Sequence, residues 1–213
     1  MTIDEIYQDI AEEKTPIIYL SGKTSTGKST FGRKLRDELG YQVVELEAVL
    51  LEIVKKYGFD EQSTFRKVLY DSDEFEAKDL FFAATDHIIT SALTSNRPVV
   101  IEGAVANVET LQRILQPAPK LTFLYFHPTN IEIYIRNLTK RFMESNEESY
   151  GGLPLKFWQL IDDAEFKTFC KTRELTGSLE ESIRRYAHSS QKESLTRLEV
   201  FRQKFENVIV VEI

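Results

Sequence analysis

One stretch of the sequence is built to hold an anion: Gly22-Lys23-Thr24-Ser25-Thr26-Gly27-Lys28-Ser29, followed by Thr30. They spell G-x-x-x-x-G-K-[ST], the pattern of a loop that cradles phosphate. Gly22 and Gly27 permit backbone conformations that other residues resist, so successive N–H groups can turn inward on an anion. Lys28 offers a mobile cation to β- and γ-phosphate oxygens, and the Ser29 hydroxyl suits a Mg²⁺ ion. A helix beginning near Lys28 would add the positive end of its dipole to the same anion. Four fixed positions recur by accident in roughly one chain in a hundred of this length. The flanks decide against accident: the apolar run Ile17 to Leu20 enters the loop, and Phe31, Leu35 and Leu39 follow at helical spacing until Gly40. The expectation is a nucleoside-triphosphate site.

Such a site also needs a carboxylate and further cations. An acidic residue ending a strand beside the loop can hold Mg²⁺ through a water, or accept a proton from a substrate hydroxyl. Glu102 follows the strand-like run Pro98-Val-Val-Ile and precedes Gly103, which permits close approach. Glu47 lies just past another strand-like run and reads as a substrate contact, with Glu45 competing for that role. His127, ahead of Pro128, reads as a turn residue more than as a base. Phosphoryl transfer draws on arginines carried by a mobile element. Arg136, Lys140 and Arg141 cluster just before the polar stretch Glu144 to Gly152, and Arg136 and Lys140 share a helix face. Arg66 and Lys67 could reach an acidic acceptor, whereas Arg173, Arg184 and Arg185 read by default as solvated charges.

The elements that must position these groups follow from periodicity. Strands are expected at Ile17 to Leu20, Tyr41 to Glu45, Pro98 to Glu102, Leu121 to Phe126 and Val208 to Ile213. Between them lie helical patterns: from Leu46 to Tyr57, from Asp73 with Glu76 as capping-box partner, and from an Asn107 cap to Leu115. Others open at Thr129 or Asn130, run from Pro154 to Leu175, and start at Ser178 with Glu181. A short acidic helix with Ile3, Ile6 and Ile10 on one face precedes the first strand; it reads as packing on the domain, or as a homodimer contact. Strands alternating with helices imply right-handed crossovers and an α/β fold with a parallel sheet covered on both faces. Ligands then gather at the carboxyl ends of the strands.

At 213 residues the chain is expected to be a single domain over 1–213, with 58–80 as an acceptor-binding segment and 142–180 as a lid or insert. A hydrophobic share of 42% with 14 Phe and 9 Tyr excludes a disordered chain. The formal net charge of −7 argues against a nucleic-acid partner. A single cysteine, Cys170, leaves no intrachain disulfide and suits a reducing compartment. The acidic opening residues are unlike a targeting segment, and no run approaches the ~18 apolar residues a membrane span needs. The expectation is a soluble cytoplasmic protein with a small-molecule acceptor as its partner.

On the phosphate loop and this layout the chain resembles the P-loop small-molecule kinases, namely the adenylate-, shikimate- and gluconate-kinase-like and zeta-toxin-like phosphotransferases. The layout matches over essentially the whole chain, while the specific motif is the loop alone. The resemblance implies a three-layer fold with a helical lid and a five-stranded sheet in the order 2-3-1-4-5, which would set Glu102 beside the loop. It implies an acceptor contact for Glu47, a match of Glu102-Gly103 to the acidic-glycine end of the third strand, and lid cations among Arg136, Lys140 and Arg141. Two departures stand out: Ser25 occupies a position where many members carry glycine, and the chain ends on its fifth strand, so base recognition must be built differently. The absence of an Asn-Lys-x-Asp segment speaks against a guanine-specific switch. The implied activity is transfer of the γ-phosphate of ATP, with Mg²⁺, to a small acceptor. Lys28 and the loop hold the phosphates and Ser29 the metal, Glu102 or Glu47 handles the acceptor, and Arg141 with Arg136 or Lys140 closes over the transferring group. A nucleotide-binding regulator with little catalysis, and a toxin-like kinase of a nucleotide-sugar, are the alternatives.

Overall fold

The central strand, β1 (Ile17–Gly22), is apolar on both sides, and Ile18, Tyr19 and Leu20 are fully enclosed. In the computed structural model, which describes residues 2–13, 15–56, 75–105, 107–144, 172, 177–206 and 208–213, four parallel strands extend from it. They are β2 (Gln42–Glu45), β3 (Val99–Glu102), β4 (Thr122–His127) and β5 (Val208–Glu212), and the sheet order is β2-β3-β1-β4-β5. All four pairings are parallel, as helical crossovers demand. The register sets Glu102 opposite Leu20 on one side and opposite Glu45 on the other. Gly22 is opposite Phe126.

Seven helices lie among the described residues: α1 (Ile3–Glu13), α2 (Lys28–Leu39), α3 (Leu46–Lys56), α4 (Phe75–Leu93), α5 (Val108–Leu115), α6 (Ile131–Glu144) and α7 (Gly177–Lys204). Helices α3, α4 and α5 and the end of α7 cover one face of the sheet, burying Leu50, Ile88, Leu111 and Phe201 against Tyr19, Ile101 and Phe123. Helices α1 and α2 cover the other, where Ile6, Ile10, Phe31 and Leu35 meet Ile18, Val100 and Leu124. Each such fully buried side chain contributes about 1.5–3 kcal/mol relative to exposure. A third cluster joins α6 to the first half of α7 through Tyr134, Leu138, Phe142, Leu179 and Ile183.

The expected punctuation has visible causes. Gly40 ends α2 in a left-handed conformation, φ 75°, with its N–H on the carbonyls of Arg36 and Leu35. Asn107 caps α5 by accepting from the Thr110 N–H at 2.9 Å. Asn130, rather than Thr129, caps α6, its Oδ1 accepting from the Ile133 N–H at 3.1 Å. The apolar face of α1 is used inside the domain: Ile6 and Ile10 are buried, and Tyr7 donates to Glu38 at 2.8 Å. The start expected for α4 at Asp73, the Pro154 to Leu175 pattern, Arg66, Lys67, Cys170 and Arg173 lie outside the described residues, as does the Ser178 side chain. No described helix is long and apolar enough to cross a membrane.

Candidate functional site

Beyond Leu20 the chain turns through the phosphate loop into α2. Gly22 sits at φ 130°, and a Cβ there would lie 2.2 Å from the Phe126 carbonyl oxygen, so the neighbouring strand leaves room for glycine alone. Gly27 is left-handed at φ 89° and stands as the N-cap of α2 without a side-chain cap, which leaves the first-turn N–H groups for an anion. Ser25 takes φ 60° despite its side chain. Inside the loop the Lys23 carbonyl accepts from both Lys28 Nζ and Thr26 Oγ1, each at 2.7 Å. Thr26 is buried, Thr24 half-buried, and Thr30 exposed on the first turn of α2. The Ser25 hydroxyl is buried with no hydrogen-bond partner, an orphaned polar atom in the wall of the loop. The Lys23 side chain pairs with Glu193 of α7 at 2.7 Å, so this residue offers the loop interior its backbone.

The sheet order brings the end of β3 beside the loop. Ser29 Oγ donates to Glu102 Oε1 at 2.6 Å. The next residue, Gly103, donates its N–H to the Leu20 carbonyl at 3.1 Å, and a Cβ on it would meet Tyr19 Oη at 2.6 Å and Leu46 Cβ at 2.7 Å. Glu47 sits in the first turn of α3. Burial pulls the Lys28 pKa down to about 8; the charges of Glu102 and Glu47 oppose that pull and Arg141 adds to it. The Glu47 carboxyl is pushed up, first by burial, then by Glu102 and Glu45, against the pull of Lys28 and Arg141. The residue is exposed, so the shift comes from protein mass packed around its inner side and not from enclosure. Lys28, Glu102, Glu47 and Arg141 thus form one electrostatic group.

The expected lid cations Arg136, Lys140 and Arg141 are all exposed; the charge of Arg141 acts on Lys28 and Glu47, and Lys140 is ion-paired with Glu144 at 3.7 Å. The orientation of α6 explains the choice. Asn137, four residues before Arg141 and so on the same face, donates to the Ser25 carbonyl at 3.4 Å and turns this face to the loop. Asn137 and Glu193 escaped the sequence reading. His127 is buried, its Nδ1 2.9 Å from Ser194 Oγ, and burial lowers its pKa; it braces β4 against α7. Arg184 pairs with Glu180 and Glu132 on the surface.

Among the described residues no group of three or more His, Cys, Asp and Glu side chains converges as a metal cage. The Ser29–Glu102 pair fits a different arrangement. Mg²⁺ takes one or two hard protein oxygens and fills its remaining positions with water and phosphate.

No curated protein sequence matches the chain. Among solved structures, a sugar kinase from Janibacter sp. HTCC2649 is 14% identical, covering 93% of this chain and 85% of its own, at a TM-score of 0.48. Shikimate kinase from Acinetobacter baumannii is 16% identical over 93% of this chain and 99% of its own, at a TM-score of 0.39. A gluconokinase from Sinorhizobium meliloti 1021 is 18% identical over 90% and 98%, at 0.42. Likenesses this distant carry no argument about the chain. The family model described as AAA domain does, because it matches residues 17–149. That span runs from the first residue of β1 to beyond α6, more than half of the chain, and takes in the phosphate loop, Glu47, Glu102 and Arg141 together: the chain belongs to the AAA domain family.

Proposed function

We propose that this protein is an ATP-dependent phosphotransferase that moves the γ-phosphate of MgATP to a hydroxyl- or phosphate-bearing small molecule. The observation that carries the reading is the Ser29–Glu102 hydrogen bond beside the loop, with the charges of Glu47 and Arg141 near enough to act on Lys28. The loop N–H groups and Lys28 hold the β- and γ-phosphates. Ser29 and Glu102 would hold Mg²⁺, which when bound neutralises phosphate charge. Where the acceptor group is a hydroxyl, Glu47, whose proton affinity is raised, takes its proton as the oxygen bonds to the γ-phosphorus; an ionised phosphate oxygen attacks without that transfer. The bond from the γ-phosphorus to the β-phosphate oxygen breaks, and ADP leaves. Arg141 offsets the charge spread over the equatorial oxygens of the transferring group.

The test is ADP formation from MgATP with a panel of nucleosides, nucleoside monophosphates, sugar acids and nucleotide-sugars. Acceptor-dependent ADP that disappears in Lys28→Ala, by two orders of magnitude or more, supports the reading. MgATP binding with no response to any acceptor would favour a nucleotide-binding regulator. Full activity in the folded Lys28→Ala variant would sink the site itself.

A further inference from the structure

A closed ring of polar contacts ties the phosphate loop to the long helix α7. Lys23 Nζ lies 2.7 Å from Glu193 Oε2, while Glu193 Oε1 accepts from Arg197 at 2.8 Å. Arg197 also donates to the Val105 carbonyl at 3.3 Å, and the Val105 N–H donates to Ser21 Oγ at 3.0 Å. The ring therefore leaves the loop at Lys23 and returns at Ser21, the residue before Gly22. An isolated surface ion pair contributes little, because both long side chains must be ordered and water screens them. Here the Lys23 side chain is only 13% exposed, and both oxygens of Glu193 are engaged by cations held on separate elements.

The consequence reaches Lys28 through the backbone. The Lys23 carbonyl accepts from Lys28 Nζ and from Thr26 Oγ1, so the position of Lys23 fixes both. We infer that Glu193 is a positioning residue for nucleotide: by anchoring Lys23 it holds the loop, and with it the Lys28 ammonium, in the form that receives the terminal phosphates. The inference rests on the reading of the loop as a nucleotide site, and adds a control point on the helix that follows the expected lid segment. A cavity of about 790 Å³ between the start of α5 and α7 borders Glu193 and Arg197. Water therefore reaches one side of the carboxylate, which sets the expected effect at tens rather than thousands.

Tripolyphosphate and MgADP, titrated into the full chain by calorimetry, are the probes; the first engages the loop without any base. Glu193→Gln should weaken both by about tenfold, and Lys23→Met by a similar factor. The double variant should bind no more weakly than either single one, since both remove the same contact. Glu193→Asp should also weaken both probes, and Lys23→Arg added to it should recover affinity to within about threefold, because the longer cation spans the shorter acid. Urea midpoints that stay near wild type while affinity falls and recovers separate this positioning role from a structural one. Affinities within twofold of wild type in Glu193→Gln, losses that multiply in the double variant, or failure of the rescue would each overturn the inference alone. A wild-type protein that binds neither probe would overturn the nucleotide site, and the inference with it.

Discussion

Nucleotide affinity should fall as pH rises through 8, because Lys28 loses its proton there. Burial brings the pKa of this side chain down to about 8 in the free protein. Contact with phosphate restores the preference for the ammonium, since charge-assisted hydrogen bonds favour the charged form. Binding must then take up a growing fraction of a proton as the pH climbs. With titration at 8, about half of the free protein carries the ammonium at pH 8 and about one molecule in eleven at pH 9. The affinity for MgADP should thus be nearly level below pH 7, about twofold weaker at pH 8 and about tenfold weaker at pH 9. The contribution of Lys28 to folding has the opposite sign. Its native pKa lies below the unfolded value, so burial of the ammonium costs stability in full below pH 8, and the cost fades as pH rises toward ~10.4. Loss of affinity without matching loss of fold stability is therefore the signature. Calorimetry at pH 7, 8 and 9 in two buffers of different ionisation heat reads affinity and proton uptake together. Lys28→Arg, which does not titrate in this range, should bind with a flat profile. A wild-type affinity that stays level from pH 7 to 9, with equal heats in both buffers, would mean that Lys28 does not titrate near 8 or does not meet the phosphates.

The geometry of the loop and of α6 makes two further predictions. Gly22→Ala drives a Cβ to 2.2 Å from the Phe126 carbonyl oxygen, whereas Gly27→Ala meets nothing within 4 Å and bears only the left-handed backbone. Urea denaturation should show the first destabilised by about 3 kcal/mol or more and the second by about 1–2 kcal/mol; equal losses would contradict the contact. Once an acceptor is known, Arg141→Ala should lower turnover by about 100-fold and Arg136→Ala by less than about threefold. Comparable losses in steady-state kinetics would mean that the wrong face of α6 has been assigned to the loop.

How far the sequence discloses this architecture depends on how local each cause is. A parallel sheet covered on both faces demands uninterrupted apolar strands, and Ile17 to Leu20, Val99 to Ile101 and Phe123 to Phe126 are all buried. The loop is legible because its motif is contiguous in the chain: Gly27 answers to its own left-handed backbone, Gly40 and Asn107 act on their own helix ends, and only the contact of Gly22 with Phe126 is remote. Choosing among Arg136, Lys140 and Arg141 needs the rotation of α6, which the spacing of the basic residues does not contain. One local signal does carry it. Asn137 is a poor helix former in mid-helix, next to buried Leu138 and three residues after buried Tyr134, so it belongs to the inward side and takes Arg141 with it. Glu193 needs more. The inner stripe of α7 includes buried Ser182, Ala187, Ser190 and Ser194, which a search for large apolar residues at helical spacing reads as a weak face. Small side chains instead let the helix approach α6 at Ala187 and, further on, the sheet, where Ser194 Oγ meets both His127 Nδ1 at 2.9 Å and Tyr125 Oη at 3.3 Å. Glu193, the neighbour of Ser194, is carried by the same approach to within reach of Lys23. Enlarging the stripe at Ser194 would push α7 outward and open the Lys23–Glu193 contact without touching either charge, so the position of the phosphate loop rests partly on the smallness of residues that have no chemistry of their own.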